Sequence, residues 1–151
     1  MFNIKIKGIL TIAAFLGLLA TTACNKLCDS GYEGKRCNVL STTKYVAAWN
    51  AIDTPGNLIY IDTITQGAAL GDITLSTSFA GHHFNHVINA SVVLTAITIP
   101  NQQPDSGGNF IQGTGKINSD NSQISFSYQI ISGTDTPQII TNYSGIWTRQ
   151  N

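Results

Sequence analysis

Apolar and polar residues alternate with a period of two along much of the chain after residue 40. The clearest stretch is "ISFSYQI" at 124–130, in which Ile, Phe, Tyr and Ile alternate with Ser and Gln. Successive side chains of a strand point to opposite faces, so this pattern predicts a strand with one buried face and one wet face. "DITLSTSF" at 72–79 repeats the alternation and predicts a second strand of the same kind.

Other short apolar segments predict further strands. They are rich in Ile, Val, Thr and aromatic residues and are separated by clusters of Gly, Pro, Asn and Asp, which are turn residues. The remaining candidate strands cover residues 43–52, 57–66, 86–99 with a break near Ser91, 109–117 and 138–149. Gly113 and Gly115 mark a predicted bend or bulge in one of them.

Seven or eight short strands with short connections predict an all-β fold, a single antiparallel β-domain. A small up-and-down barrel, similar to that of lipocalins, is favoured over a β-sandwich because closure removes exposed strand edges. No segment strongly indicates a helix.

The N-terminus has the pattern of an export signal. Lys5 and Lys7 precede an uncharged apolar run from Gly8 to Ala20. As a helix that run would cover roughly 20 Å, short of the ~30 Å hydrocarbon core of a bilayer. Residues 1–23 are therefore predicted to be a cleaved signal peptide.

The residues after this run resemble the lipobox of bacterial lipoproteins. The motif is Thr21-Thr22-Ala23-Cys24, with Thr21 where that family usually has Leu. The resemblance implies lipidation of Cys24 and an outer-membrane protein facing either the periplasm or the cell surface. An ordinary signal peptide cut nearby, with Cys24 free or paired, is the alternative.

The other two cysteines, Cys28 and Cys37, are expected to form a disulfide, because an exported chain meets an oxidising compartment. They belong to the pattern Cys-x-x-Gly-Tyr-x-Gly-x-x-Cys, which resembles the C-terminal loop of epidermal growth factor-like domains. The match covers ten residues, so residues 24–40 are interpreted as a truncated remnant of such a module and a linker to the β-domain at 41–151. The whole layout is similar to small lipoproteins of Bacteroidetes type, a group that implies no activity.

The three histidines, His82, His83 and His86, are the candidate metal ligands, since they fall within five residues. They lie between β-like runs after Ala80-Gly81, so a polar loop is the favoured interpretation, and neither a metal nor another cofactor is expected. The cysteine spacings do not match a zinc knuckle either.

No catalytic residue is assigned from the sequence. There is no Gly-x-Ser-x-Gly element. The aspartates lie mostly in or beside predicted turns, with Asp62 the mid-strand exception, so an enzyme is not expected.

Charge narrows the range of partners. Without residues 1–23 the cations fall from eight to six against eight acids, a formal charge of about −2. There is no basic stripe, so nucleic acid is not an expected partner.

The predicted function is that of a non-enzymatic, lipid-anchored envelope domain. It is interpreted as a binding module for a small apolar or saccharide ligand, with a structural or assembly component that contacts other envelope proteins as the alternative. A hydrophobic cavity of ~300–1,000 Å³ would favour the ligand, and a filled interior with an exposed apolar patch would favour the protein partner.

Overall fold

A computed structural model of the chain describes residues 28–105, 108–133 and 137–151. The predicted signal peptide and Cys24 lie outside these ranges. Within them every regular element is a strand, and no helix is long and apolar enough to span a bilayer.

The described residues form twelve strands. In chain order they are β1 Tyr32–Glu33, β2 Val39–Leu40, β3 Ala47–Thr54, β4 Leu58–Gln66, β5 Asp72–Leu75, β6 Ser78–Phe79, β7 His82–His83, β8 Ile88–Val93, β9 Ala96–Gln102, β10 Phe110–Ile117, β11 Gln123–Ser132 and β12 Ile139–Arg149.

Eight of these strands close into an antiparallel barrel. Its order is β10-β11-β12-β3-β4-β5-β8-β9, so each strand pairs with its sequence neighbours in the barrel and β12 closes onto β3. The predicted all-β class and up-and-down barrel are confirmed. We call the end where β3 begins the starting end and the opposite one, where the β6–β7 hairpin lies, the hairpin end.

The sequence alternation sets the two sides of the barrel wall. In β11 the apolar residues of "ISFSYQI" are buried, whereas the serines between them are exposed. The same holds in β8, where Ile88, Ala90 and Val92 point inward. The inward residues of the eight strands form one core.

Glycines in the wall make room for large interior side chains. A Cβ at Gly113 would overlap Tyr128, one at Gly115 would overlap the Phe126 ring, and one at Gly145 would overlap the Asp53 carboxyl group. The ladder between β9 and β10 also shifts register between Ile111 and Gly113, which confirms the predicted irregularity there.

Two strand predictions needed correction. The segment 72–79 is not one strand, because β5 ends at Leu75 and the chain then forms the separate β6–β7 hairpin. The segment 86–99 does divide into two strands, but at Leu94 and Thr95 rather than near Ser91.

The N-terminal segment packs on the starting end of the barrel. Cys28 and Cys37 form the expected disulfide, and the N–H of Ser41 donates to the Gly31 carbonyl at 2.9 Å. Tyr45 is fully buried and its hydroxyl donates to the Leu94 carbonyl at 3.0 Å. This end is therefore covered before β3 begins.

Candidate functional site: the barrel interior and the isoleucine face

Asp53 is the centre of a hydrogen-bond cluster inside the barrel. This fully buried residue of β3 accepts hydrogen bonds from the Tyr60 hydroxyl, the Tyr128 hydroxyl at 2.5 Å and the Trp147 indole N–H at 3.1 Å. Burial raises the pKa of both tyrosines, so both hydroxyls stay protonated as donors at neutral pH. The cluster joins four neighbouring strands, β11, β12, β3 and β4.

Asp62 is a second buried carboxyl group, one strand further along the wall. The N–H of Ser76 donates to its Oδ1 at 3.0 Å and the Ser76 hydroxyl to its Oδ2 at 3.1 Å. Burial raises the pKa of Asp62 to about 7, although both hydrogen bonds from Ser76 act in the opposite direction. Asp62 therefore holds the chain where it leaves β5 and turns into the hairpin.

Phe79 of the β6–β7 hairpin fills the hairpin end of the barrel. It has no exposed surface, and its ring centroid lies 4.6 Å from that of Tyr128, 5.2 Å from that of Trp147 and 6.3 Å from that of Phe126. These are edge-to-face and tilted contacts between aromatic rings. The aromatic side chains thus fill the core instead of lining a ligand cavity. Filling by side chains is the commoner case in a barrel of eight strands.

The three histidines lie on or next to the hairpin. His82 stacks on Phe84 with centroids 6.1 Å apart, the His83 Nδ1 is 3.2 Å from the Ser78 hydroxyl, and the His86 N–H donates to the Pro104 carbonyl at 2.9 Å. The predicted loop is in part a short strand, since His82 and His83 form β7. Among the described residues no three His, Cys, Asp or Glu side chains are grouped to hold a metal ion.

The outer surface of the barrel carries a row of exposed isoleucines. Ile146 pairs with Ile52, and Ile52 pairs with Ile59, so three isoleucines lie side by side across β12, β3 and β4. Ile61 follows two residues after Ile59 on the same side of β4. Their exposed fractions are 46% for Ile146, 51% for Ile52, 77% for Ile59 and 59% for Ile61. We call these four residues the isoleucine face.

A shallow groove of about 510 Å³ runs beside this face. Ile52, Ile146, Phe126 and Gly145 line it. Ser125, Ser144 and Thr54 form its polar rim.

Charge is missing around the isoleucine face. The other outward residues of β11, β12, β3 and β4 are mostly Ser, Thr, Asn and Gln. The charged residues of these strands are elsewhere: Asp53 and Asp62 are buried, and Arg149 donates to the Lys44 and Val46 carbonyls at the starting end. The face is therefore apolar at its centre and neutral at its rim.

The structure revises two interpretations of individual residues. Asp53 directly precedes the "TPG" turn, a position that favours a turn-forming or solvated aspartate, but it is fully buried. The isoleucine face was missed altogether. The sequence feature that indicates it is "LIYIDTIT", where apolar residues occupy both the inward and the outward positions in the first half of β4.

Comparison with known proteins adds no relative: no family model, no curated protein and no solved structure matches this chain.

Proposed function

We propose that the protein is a non-enzymatic, lipid-anchored domain of the cell envelope that contacts a neutral surface of another envelope protein through its isoleucine face. The observation that carries this proposal is the row of outward isoleucines across β12, β3 and β4. The filled interior supports it, because Trp147, Phe79 and Phe126 occupy the space in which a barrel would hold a small ligand.

The chemistry of the face suits a protein partner. Interface cores are depleted of charged residues, and their rims are polar. The isoleucines supply the apolar centre, and the Ser and Thr side chains around the groove supply hydrogen-bonding groups at the rim. A partner with a strongly charged surface would have to leave those charges unpaired here, which favours a neutral partner surface.

The anchor in this proposal is the lipid on Cys24, with the outer membrane as location. Its support is the lipobox resemblance and the disulfide between the other two cysteines, which leaves Cys24 as the odd one. The mass of the mature protein tests it: the expected result is an N-terminus at Cys24 that carries acyl chains, and an unmodified N-terminus would contradict it.

Photo-cross-linking in intact cells tests the contact. A photoreactive amino acid in place of Ile59 should give a discrete adduct, whereas the same residue in place of Val87, which is exposed by 44% near the hairpin, should not. Ile52→Thr and Ile146→Thr keep β propensity but remove apolar surface, so both should lower the yield of the adduct.

Two results would contradict the protein contact. One is the same diffuse labelling from both positions, and the other is an unchanged adduct in the threonine variants while their thermal unfolding stays like that of the wild type. An adduct of twice the chain mass would identify the partner as a second copy.

A row of amide side chains supports a saccharide as a second candidate ligand. Gln112 donates to Gln129 at 3.0 Å and Gln129 to Asn142 at 3.3 Å, beside a groove of about 320 Å³. Side-chain amides offer both donors and acceptors to neutral hydroxyl groups. Calorimetric titration with neutral oligosaccharides should show heat that Gln129→Ala removes, and no heat with the wild type would reject this candidate.

A further inference from the structure

An exposed apolar tip lies at the starting end of the barrel, next to the disulfide loop. It consists of Leu70, Val93 and Leu94, whose exposed fractions are 57%, 66% and 58%. A Cβ at Gly31 would lie 3.2 Å from that of Leu70, and Val93 and Leu94 line a groove of about 400 Å³ together with the disulfide loop. The three side chains therefore lie next to the disulfide loop with which the described chain begins.

Leu94 is an unusual residue for its position. Its φ is 53°, in the left-handed region that turns normally fill with Gly or Asn. Its carbonyl is held by the Tyr45 hydroxyl, but its side chain is mostly exposed rather than packed in the core. Neither turn propensity nor core packing accounts for a leucine here, so its exposed side chain is the feature that needs an explanation.

Charge distinguishes the starting end from the hairpin end. All five cations of the described residues lie at or near the starting end: Lys35, Arg36, Lys44, Lys116 and Arg149. Four acids share it, Asp29, Glu33, Asp72 and Asp120, and Glu33 is paired with Lys44 at 2.5 Å. Cations thus offset acids at this end, which does not oppose the approach of a surface that carries phosphate groups.

The position of the lipidation residue points to the same end. Cys24 precedes Cys28 by four residues, and a fully extended chain of that length spans at most about 14 Å. Acyl chains on Cys24 would hold Cys28, which lines the same groove as Val93 and Leu94, within that distance of the bilayer surface.

We propose that the apolar tip inserts into the interfacial region of the bilayer that holds the lipid anchor. The acyl chains retain the protein at the membrane, and the tip fixes its orientation, with the barrel standing on its starting end and the isoleucine face directed sideways. This inference rests on the lipid anchor of the proposed function but not on the contact made by the isoleucine face.

Fluorescence quenching in vesicles tests the orientation. The mature lipidated chain is placed in vesicles of phosphatidylethanolamine and phosphatidylglycerol with brominated acyl chains, with Val93→Trp as the reporter and Ile59→Trp as the matched control. Both sites are exposed, and the native Trp49 and Trp147 are buried in either case. Quenching of the Val93→Trp reporter should exceed that of the control by at least about twofold, since only the former would reach the acyl boundary.

A second substitution tests whether a change in quenching comes from lost membrane contact or from a change in folding. Leu94→Asn places a residue that suits the left-handed turn, so the fold should be at least as stable as before. Added to the Val93→Trp reporter, it should reduce the quenching, whereas Ile59→Asn should leave the quenching unchanged.

The outcomes distinguish the two proposals. Equal quenching of the Val93→Trp and Ile59→Trp chains, with acyl chains confirmed by mass, would overturn the membrane contact alone. A mature chain without acyl groups would overturn the lipid anchor and this inference together.

Discussion

Two buried aspartates of the barrel differ in what surrounds them. Asp53 receives three hydrogen bonds from side chains, two from tyrosines and one from a tryptophan. Asp62 receives no hydrogen bond from an aromatic side chain; Ser76 donates to it from both its N–H and its hydroxyl group. The pKa of Asp62 is raised to about 7, and burial is the largest cause. The negative charge of Asp53 raises this pKa further. Asp62 should therefore ionise near neutral pH.

Replacing Asp62 by asparagine tests this ionisation. The pKa of Asp62 lies above the ordinary value of 3.8, so the folded chain binds this proton more tightly than the unfolded chain. Its stabilising contribution is complete below about pH 4 and is lost as the pH rises to about 7. Asp62→Asn keeps an acceptor for Ser76 without the charge, so above pH 7 it should exceed the wild type in free energy of unfolding, by up to roughly 4 kcal/mol.

Urea denaturation between pH 4 and pH 8 measures the difference between the two proteins. It should grow with pH across this range. Parallel pH profiles for the wild type and the variant would contradict the raised pKa.

Gly145 lies directly opposite Asp53 in the ladder between β12 and β3. A Cβ at Gly145 would overlap the Asp53 carboxyl group, so Gly145→Ala must displace either a wall strand or the hydrogen-bond cluster. We expect a loss of about 1–3 kcal/mol in the free energy of unfolding, or more if the cluster breaks. Ser127→Ala, on the outer face of β11, is the matched control and should change it by less than about 0.5 kcal/mol. Equal effects of the two variants would contradict this account.

The role of Asp53 could not be predicted from sequence for a physical reason. Its three donors lie 7, 75 and 94 residues away along the chain. Local sequence showed only an aspartate next to a Pro-Gly turn, a context that usually means solvent exposure. Asp62 stood out because a charged residue within an apolar strand is rare unless it has partners.

Among the elements, the β6–β7 hairpin is the one whose side chain fills the hairpin end of the barrel. It leaves the wall after β5, is held by Asp62 at Ser76, and places Phe79 among the aromatic rings of the core. Alternation alone predicted one strand over 72–79. The strand ends early because the N–H of Ser76 bonds to a side chain instead of a neighbouring strand, which a pattern of apolar residues does not reveal.

Truncating Phe79 should therefore lower the free energy of unfolding as much as truncating a core residue of a barrel strand does. Phe79→Ala is expected to lower the free energy of unfolding by about 3–5 kcal/mol, because it removes a fully buried ring and leaves a cavity. His83→Ala, exposed on the same hairpin, is the control and should change it by less than about 0.5 kcal/mol. A loss below 1 kcal/mol for Phe79→Ala would indicate that the hairpin opens independently of the barrel.

The strands of the wall were predicted more accurately than the hairpin. Candidate ranges 57–66, 109–117 and 138–149 agree with β4, β10 and β12 to within one residue at each end. These strands alternate cleanly or are bounded by Gly, Asn and Pro. The turn after β8 was placed wrongly because it is made of Leu94 and Thr95, neither of which is a typical turn residue.

At the scale of the whole molecule, the disulfide loop and the barrel form one packed unit. The Ser41 N–H bonds to the Gly31 carbonyl inside the loop, and Gly31 lies against Leu70 of the barrel. A closed loop of about ten residues contributes roughly 2.7 kcal/mol in the chain-entropy description. The double variant Cys28→Ser, Cys37→Ser should therefore stay folded but unfold with about 2–3 kcal/mol less free energy.

Thermal unfolding with and without a reductant checks this prediction. The reductant should lower the melting temperature of the wild type and leave that of the double variant unchanged. No effect on the wild type would mean that the loop opens without the barrel.

The seam between β12 and β3 has a consequence for how the chain folds. Every other neighbouring pair in the barrel is joined in sequence order, but Thr54 and Ser144 of the seam are 90 residues apart. Contacts between distant residues are slow to form, because the entropy of loop closure must be overcome before they are made. The seven sequential pairings can form locally, so we expect closure of the ring to limit the folding rate. A circular permutant that joins the native termini and opens the turn between β8 and β9 would move that slow step to a different pair of strands while leaving the same barrel.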